Sequence, residues 1–203
     1  MVGFVFFPAS PRHVDFEIAR ALGERVRGRA QKVALSVDAS DEELAASIEA
    51  LKPDLLQLHG KETPDRVVAV RKRFGLPVMK ALPIAERADL SPIRLYDKVA
   101  DRLIFDARAA REATRPGGLG KSFDWRLLDD LDAGCAVHAL GRPPMPATSP
   151  RRCASRAAPG VDVSSGVERA PGEKDPDKIR AFVAAARDAA ARLQRAAKMM
   201  SGA

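Results

Sequence analysis

The hydrophobic and polar positions of the chain follow two alternating patterns. Short, continuous apolar runs predict buried parallel strands, and stretches with apolar residues at every third or fourth position predict amphipathic helices. The first apolar run covers residues 2–7 and is closed by Pro8. A helix is expected over residues 15–26. Its apolar face comprises Phe16, Ala19, Leu22 and Val26.

The same alternation continues to the end of the chain. Further strands are predicted at 32–37, 54–58, 76–81, 101–105 and 160–163. Ser40 or Asp41 is predicted to cap a helix that runs to residue 50. Further helices are predicted at 63–73, 89–96, 124–132 and 175–198, and a frayed tail is predicted at 199–203. Strands alternating with helices indicate one α/β domain over residues 1–203, built on a parallel sheet. Both an open flavodoxin-like sheet and a closed (β/α)8 barrel fit this periodicity.

Small polar residues follow the last predicted strand. Ser164, Ser165 and Gly166 come directly after residues 161–163, and we predict that a helix starts after this turn. Backbone N–H groups at such a turn bind phosphate, the serine hydroxyl groups add donors, and glycine permits close approach. The alternative is an ordinary turn with a serine cap.

Three other short motifs lie in order along the chain. They are the segment 3–12, which ends in Ser-Pro-Arg, the segment Gln-Leu-His-Gly at 57–60, and Phe-Asp-Ala-Arg at 105–108, followed by a glycine-rich loop up to Trp125. Together with the serine turn, these motifs resemble phosphoribosylanthranilate isomerase, an enzyme family of tryptophan biosynthesis. The resemblance covers residues 1–134 and resumes near Pro159. It implies a (β/α)8 barrel and an Amadori rearrangement that needs no metal and no cofactor.

The resemblance also assigns roles to residues. Asp106 matches the general acid, for which burial must favour the protonated carboxyl group. Asp124, which we predict to cap a helix, and Asp162 are rivals for that role. Arg12 matches the residue that binds the anthranilate carboxylate, and a guanidinium suits this planar anion. The remaining implied residues are Gln57 and His59 for the substrate, Asp162, Ser164, Ser165 and Gly166 for the phosphate, and Gly117, Gly118, Gly120 and Lys121 for a mobile loop.

The chain departs from the family pattern at its start. The family begins with a strand of the pattern Lys-Ile-Cys-Gly, whose cysteine is the general base, whereas this chain begins with what matches the second strand. About 20–25 residues, the size of one βα unit, are therefore expected to be missing. Neither Cys135 nor Cys153 matches the catalytic cysteine.

A second departure covers residues 135–158, where the family has its seventh strand and half of its phosphate site. The prolines from Pro143 to Pro146 do not suit a central strand or a helix interior. Either this is a variant loop, or it is a reading-frame error, which we favour. Permitted codons for residues 136–143, read one nucleotide later, can spell Pro-Phe-Met-Leu-Ser-Gly-Gly-Leu.

Composition restricts the partners. The formal net charge is +7, but four arginines lie in the segment 135–158, which has no acidic residue, and no nucleic-acid-binding motif is present. We therefore expect no nucleic acid and no membrane as partners, but a phosphorylated small molecule bound by a monomer or a homodimer. Two cysteines without metal-ligand spacing fit a reduced, cytoplasmic setting.

Two other functions stay open. One is a phosphate-ligand-binding barrel that has lost catalysis, because the base is missing while Arg12, Asp106 and the serine turn are kept. The other is a different phosphate-binding barrel isomerase or synthase, which the Gln-Leu-His-Gly segment and the glycine-rich loop disfavour.

Overall fold

The computed structural model describes residues 1–107, 136–140 and 160–201. Within them, seven parallel strands form one sheet in the order β1-β2-β3-β4-β5-β6-β7, so that each strand lies beside its neighbours in the chain. This progression is typical of the (β/α)8 barrel and differs from the flavodoxin-like order, in which the chain reverses direction in the sheet. The strands are β1 Val2–Phe6, β2 Lys32–Ser36, β3 Leu55–Leu58, β4 Val78–Ile84, β5 Arg102–Ala107, β6 Ala136–Leu140 and β7 Gly160–Asp162.

Helices cross between the strands and begin at the residues that the sequence marks. Helix α1 covers Phe16–Val26, α2 covers Asp41–Leu51 and α3 covers Pro64–Phe74. Their N-caps are Asp15, Ser40 and Thr63, and each side chain accepts a hydrogen bond from a first-turn N–H. Such caps satisfy donors that the helix itself leaves unpaired. The alternative cap at Asp41 is therefore not used.

Two apolar layers lie on opposite faces of the sheet. The outer layer packs strands against helices through residues such as Leu56, Leu58, Val67 and Phe105. The inner layer comprises Val33, Leu55, Met79, Ala81 and Ile104. All four residues of β3 are buried, and because successive side chains of a strand point to opposite faces, both faces of this strand are covered.

Several predicted elements need correction. The helix predicted at 89–96 is a 3₁₀ turn, Arg87–Leu90, followed by a short helix α4, Ile93–Tyr96. Pro92 lies between them and cannot donate within a continuous helix. Strand β4 extends beyond residue 81 to Ile84, because Pro83 and Ile84 pair with β5 and a proline removes only one N–H from the ladder.

The apolar face predicted for α1 is only partly buried. Ala19 is fully buried, but Phe16 and Leu22 are 44% and 40% exposed. Phe16 stacks on Phe6 of β1 with ring centroids 5.8 Å apart. In the described part of the chain, β1 pairs along its length only with β2, so the outer side of β1 and α1 has no further strand beside it.

The last part of the chain differs most from prediction. A 3₁₀ turn, Ser165–Val167, follows β7, and the chain then forms a small antiparallel hairpin, β8 Glu168–Ala170 and β9 Glu173–Lys174. The long helix α5, Pro176–Ser201, starts only after this hairpin. The helix predicted at 175–198 is confirmed as α5, but the hairpin between the serine turn and this helix was not predicted. Residues 199–201, predicted as a frayed tail, continue α5.

Strand β6 was not predicted. Ala136–Leu140 lies in the segment that we interpreted as frame-shifted, yet it forms a strand between β5 and β7. The predicted helix at 124–132, the mobile-loop residues and both cysteines lie outside the described residues. Among the described residues, no helix combines the length and the apolar character that crossing a bilayer requires.

Candidate functional site

The side chains singled out from the sequence lie at one end of the sheet. Arg12 is in the loop after β1, His59 directly follows β3, Asp106 is the second-last residue of β5, and Asp162 ends β7. The carboxyl ends of parallel strands meet at one edge of a barrel, where alternate strands contribute side chains to the same layer. These four residues lie at or after the carboxyl ends of strands β1, β3, β5 and β7, and so the topology places them around one opening.

The closest contact in this group joins His59 to Asp106. His59 Nε2 lies 3.2 Å from Asp106 Oδ2, and the two side chains are 11% and 8% exposed. His59 Nδ1 is buried and has no hydrogen-bond partner among the described residues. A buried polar nitrogen without a partner carries a cost of about 1–3 kcal/mol, which a ligand that supplies the missing hydrogen bond would remove.

A buried ion pair holds the segment that carries His59. Lys80 Nζ donates to Glu62 Oε2 at 2.9 Å, to Gly60 O at 2.7 Å and to Leu58 O at 3.2 Å. Glu62 in turn accepts from the backbone N–H groups of Gly60 and Asp38. The Lys80 and Glu62 side chains are only 2% and 4% exposed. The carbonyl groups on both sides of His59 are therefore fixed by one ammonium group.

Gly60 is required because Asp38, in the loop after β2, lies directly against its backbone. A Cβ at this position would lie 2.3 Å from Asp38 Oδ1 and 2.6 Å from the Asp38 backbone nitrogen. Any side chain here would push the end of β3 away from the loop after β2.

Asp162 interacts electrostatically with both members of the His59–Asp106 contact. The pKa of Asp162 is raised, mainly because the surrounding protein desolvates the carboxyl group and also because of the charge of Asp106. The charges of His59 and Lys174 oppose this rise. By its accessible surface Asp162 is exposed. His59, Asp106 and Asp162 thus form one cluster.

The predicted phosphate-binding residues lie beside this cluster. Ser164, Ser165 and Gly166 are half-buried in the 3₁₀ turn after β7. Lys174 Nζ donates to Ser164 O at 2.9 Å. A lysine ammonium therefore lies against the turn in which the sequence predicts a phosphate site.

Arg12 makes an ion pair that the sequence did not suggest. Its Nε and Nη2 atoms donate to the two carboxylate oxygens of Glu168, both at 2.7 Å. The two side chains are 11% and 5% exposed. Glu168 also accepts from Lys174 Nζ at 2.7 Å. Burial alone would raise the pKa of Glu168, but the hydrogen bonds from Arg12 and Lys174 lower it to about 2.

This depressed pKa predicts a pH dependence of stability. A carboxyl group that titrates near its ordinary value of 4.5 when unfolded but at about 2 when folded stabilises the protein above pH 4.5. That contribution, on the order of 3 kcal/mol, is lost as the pH falls from about 4.5 towards 2. In urea unfolding at a series of pH values, Glu168→Gln should lower the free energy of unfolding at pH 7. It should also flatten its decrease over the acid range.

The matched control for this measurement is Glu173→Gln. Glu173 lies in the same hairpin and pairs with Arg169, but its side chain is 52% exposed. Exposed pairs contribute about 0–1 kcal/mol, so this variant should follow the parent at every pH. A Glu168→Gln curve parallel to that of the parent between pH 5 and 2 would contradict the prediction.

The structure brings together most of the predicted site residues. Gln57 is buried in β3 two residues before His59, on the inner face of the sheet, and donates to Met79 Sδ at 3.3 Å. Glu168, Lys174, Glu62 and Lys80 were missed as site residues. Glu168 and Lys174 follow shortly after the serine turn, but a sequence gives no signal that Glu168 meets Arg12, more than 150 positions away.

The chain matches a known family over most of its length. Residues 1–185 match the family described as N-(5'phosphoribosyl)anthranilate (PRA) isomerase. An N-(5'-phosphoribosyl)anthranilate isomerase of Rhodopseudomonas palustris strain BisB5 is 57% identical over 191 residues, covering 92% of this chain and 85% of the relative.

Two solved structures share the fold. The phosphoribosyl anthranilate isomerase of Thermotoga maritima superposes with a TM-score of 0.77 and 27% identity, over 92% of this chain and 87% of the other. A phosphoribosyl anthranilate isomerase in complex with reduced 1-(o-carboxyphenylamino)-1-deoxyribulose 5-phosphate gives a TM-score of 0.71 and 25% identity, over 92% and 87%.

Proposed function

Because the chain belongs to the phosphoribosylanthranilate isomerase family of tryptophan biosynthesis, we propose how its own residues serve that reaction. The substrate lies across the carboxyl ends of the strands, with its anthranilate carboxylate at Arg12 and its phosphate at the turn 164–166. The reacting part of the ribose then lies beside Asp106 and His59. The observation that carries this proposal is the buried contact of 3.2 Å between His59 Nε2 and Asp106 Oδ2.

Asp106 is the proton donor in this proposal. Protonation of the ribose ring oxygen by its carboxyl group opens the ring and leaves an iminium. A base then removes the proton from C2′, and the enolamine becomes the ketose. His59 holds the Asp106 carboxyl group through Nε2 and offers Nδ1 to a polar group of the substrate. This use of Nδ1 is supported by its burial without a partner among the described residues.

Two anions at opposite ends of the substrate are bound by different parts of the chain. The guanidinium of Arg12 pairs with the carboxylate, because it offers several donors in a plane. Backbone N–H groups and hydroxyl groups of Ser164 and Ser165 bind the phosphate, and Lys174 adds positive charge beside that turn. Gln57 lines the inner face below His59.

Removal of the Arg12 side chain tests the first of these contacts. Arg12→Ala should weaken binding of the reduced product analogue by about 1.5–3 kcal/mol, the range for hydrogen bonds to a charged group. Isothermal titration calorimetry measures this loss. A second ligand, identical except that it lacks the ring carboxylate, should lose much less. Equal losses for both ligands would mean that Arg12 does not contact the carboxylate.

We further propose that the barrel of this chain is short of one βα unit beside β1. The proposal is supported by the β1 edge, where β2 is the only strand that pairs along β1 in the described part of the chain, and by exposed apolar side chains next to it. These are Val2, Phe16 and Leu22, between 40% and 44% exposed. In the family pattern this unit carries the general-base cysteine, which no residue of this chain matches.

Growth complementation tests both proposals together. We expect that the 203-residue chain does not rescue a tryptophan-requiring strain that lacks this isomerase, because general-base help is commonly worth 10²–10⁴-fold, of order 3–5 kcal/mol. An extended chain, in which the first βα unit of a relative precedes Met1, should rescue growth once residues 135–158 are encoded in the alternative frame that spells Ser-Gly-Gly-Leu. Rescue by the 203-residue chain would overturn the proposal of a missing base.

A barrel that binds the substrate without converting it is the second candidate function. It is favoured by the retention of Arg12, Asp106 and the serine turn in a chain without the cysteine base. Calorimetry separates it from an unrelated activity, because a binding-only barrel binds the product analogue and shows no turnover. Absence of both binding and turnover would contradict both candidates.

A further inference from the structure

Glu168 is a buried carboxylate beside the site that accepts hydrogen bonds from two basic side chains, yet the reaction itself does not require it. Its side chain is 5% exposed and accepts two hydrogen bonds from Arg12 and one from Lys174, each at 2.7 Å. Its backbone carbonyl accepts a fourth bond, from Lys178 Nζ at 2.8 Å. A buried carboxylate with this many donors holds each of them in a defined place.

These contacts connect two parts of the barrel that no strand pairing connects within the described residues. Arg12 lies in the loop after β1, and Glu168 lies in the hairpin after β7, so the bond crosses between the two outermost strands of the sheet. The hairpin also packs closely against that loop, since a Cβ at Gly172 would lie 2.3 Å from Pro11 O. Gly172 has φ +85°, a conformation that glycine adopts readily.

The same network reaches the phosphate turn. Lys174 Nζ bonds both Glu168 Oε1 and Ser164 O, at 2.7 Å and 2.9 Å. The group that is proposed to hold the carboxylate and the turn that is proposed to hold the phosphate are therefore linked through two side chains. A displacement of Glu168 would change the distance between them.

The charges of the cluster favour positioning of Arg12 over competition for it. Arg12 and Lys174 carry two positive charges and Glu168 one negative charge, so the cluster keeps a net positive charge for an incoming anion. Glu168 occupies the Nε and Nη2 edge of the guanidinium. This pairing fixes the plane of the group, and a guanidinium offers five donors in total.

We propose that Glu168 is a positioning residue that sets the spacing between the carboxylate-binding guanidinium and the phosphate-binding turn. The site then prefers ligands that carry both anions over ligands that carry the phosphate alone. This inference rests on the proposed function, because it uses the roles proposed there for Arg12 and for the turn.

Calorimetry with two ligands tests the inference. The ligands are the reduced product analogue and the same molecule without its ring carboxylate, and the proteins are the 203-residue chain, Glu168→Gln and Glu173→Gln. Glu168→Gln should weaken binding of the carboxylate ligand roughly tenfold, since Arg12 loses its charged hydrogen-bond partner. The ligand without the carboxylate should change much less, and Glu173→Gln should change neither ligand by more than about twofold.

The outcomes separate the two proposals. Equal weakening of both ligands by Glu168→Gln would show that Glu168 only supports the fold, and unchanged or tighter binding of the carboxylate ligand would show that it does not position Arg12. Either result overturns the inference and leaves the proposed function standing. Failure of the unmodified chain to bind either ligand would overturn the proposed function, and the inference with it.

A second variant and a measurement without ligand cover the case in which Glu168→Gln does not fold. Glu168→Asp keeps the charge but shortens the side chain, and it should produce the same selective loss for the carboxylate ligand. In addition, the Nε–H of Arg12 should exchange slowly with water in the unmodified chain, because it is bonded to a buried carboxylate. In Glu168→Asp this exchange should be faster. Slow exchange in that variant, or equal losses for both ligands, would contradict the inference.

Discussion

Asp106→Asn is expected to abolish turnover while leaving binding of the product analogue largely intact. Asparagine keeps the shape of the side chain and a hydrogen-bonding oxygen for His59, but it cannot transfer the proton. General acid–base catalysis contributes about 10²–10⁴-fold, so kcat should fall by at least that factor. The measurement uses the extended chain, because the 203-residue chain is expected to lack the base.

A control for this variant lies on the same strand. Asp101 precedes β5 at its other end, and its side chain pairs with Arg71 and accepts from the Val78 backbone N–H. Asp101→Asn changes the same functional group away from the site and should leave kcat within about a factor of two or three. Near-normal turnover by Asp106→Asn would remove Asp106 from the role, and Asp162 would be the next carboxyl group to test.

Lys80→Met should cause the largest loss of stability among single substitutions considered for this chain. The Lys80 and Glu62 side chains are 2% and 4% exposed, and methionine would leave the Glu62 carboxylate buried without its counter-charge. Loss of one partner of a buried pair costs about 3–5 kcal/mol. This is a large fraction of the about 5–15 kcal/mol that stabilises an ordinary domain. Urea unfolding followed by circular dichroism measures the loss.

Lys61, which precedes Glu62 in the sequence, provides the control for that experiment. Lys61 is exposed, and its backbone nitrogen donates to Asp38 Oδ1. Lys61→Met should therefore lie within about 0.5 kcal/mol of the parent. The double variant Lys80→Met, Glu62→Gln should recover part of the loss, since no buried charge stays unpaired. A Lys80→Met protein as stable as the parent would show that water reaches Glu62 and that the pair does not hold the His59 segment.

Sequence periodicity was sufficient for most of the elements. Strands β1 to β5 and helices α1 to α3 begin within two residues of their predicted starts, because local signals mark them: apolar runs for strands, and Asp15, Ser40 and Thr63 as caps. Such signals act within a few positions of the chain, so that one sequence contains them completely. The ends of β4 and the division of the 89–96 helix depended instead on pairing with β5 and on one proline.

The resemblance to a family supplied candidate residues that periodicity could not. An aspartate after a strand is as consistent with a cap as with an acid, and only the order of four motifs distinguished Asp106. The structure then placed His59 beside Asp106 and Asp162 within reach of both, which supports their use in one site. The roles of the glycine-rich loop residues stay predictions, because they lie outside the described part of the chain.

What the sequence by itself determined is the alternation of strands and helices and the caps, which depend on residue type and local spacing. The candidate site residues came from the resemblance to a family, and their roles stay predictions. The tertiary structure decided which charges are paired. Arg12 was predicted to bind a carboxylate of the substrate, and the structure adds an ion pair with Glu168, 156 positions along the chain, that the sequence did not indicate. Lys80 and Glu62 stood in no motif and form a buried pair. Pairing of charges depends on which side chains lose contact with water together, and that is set by the packing of distant elements.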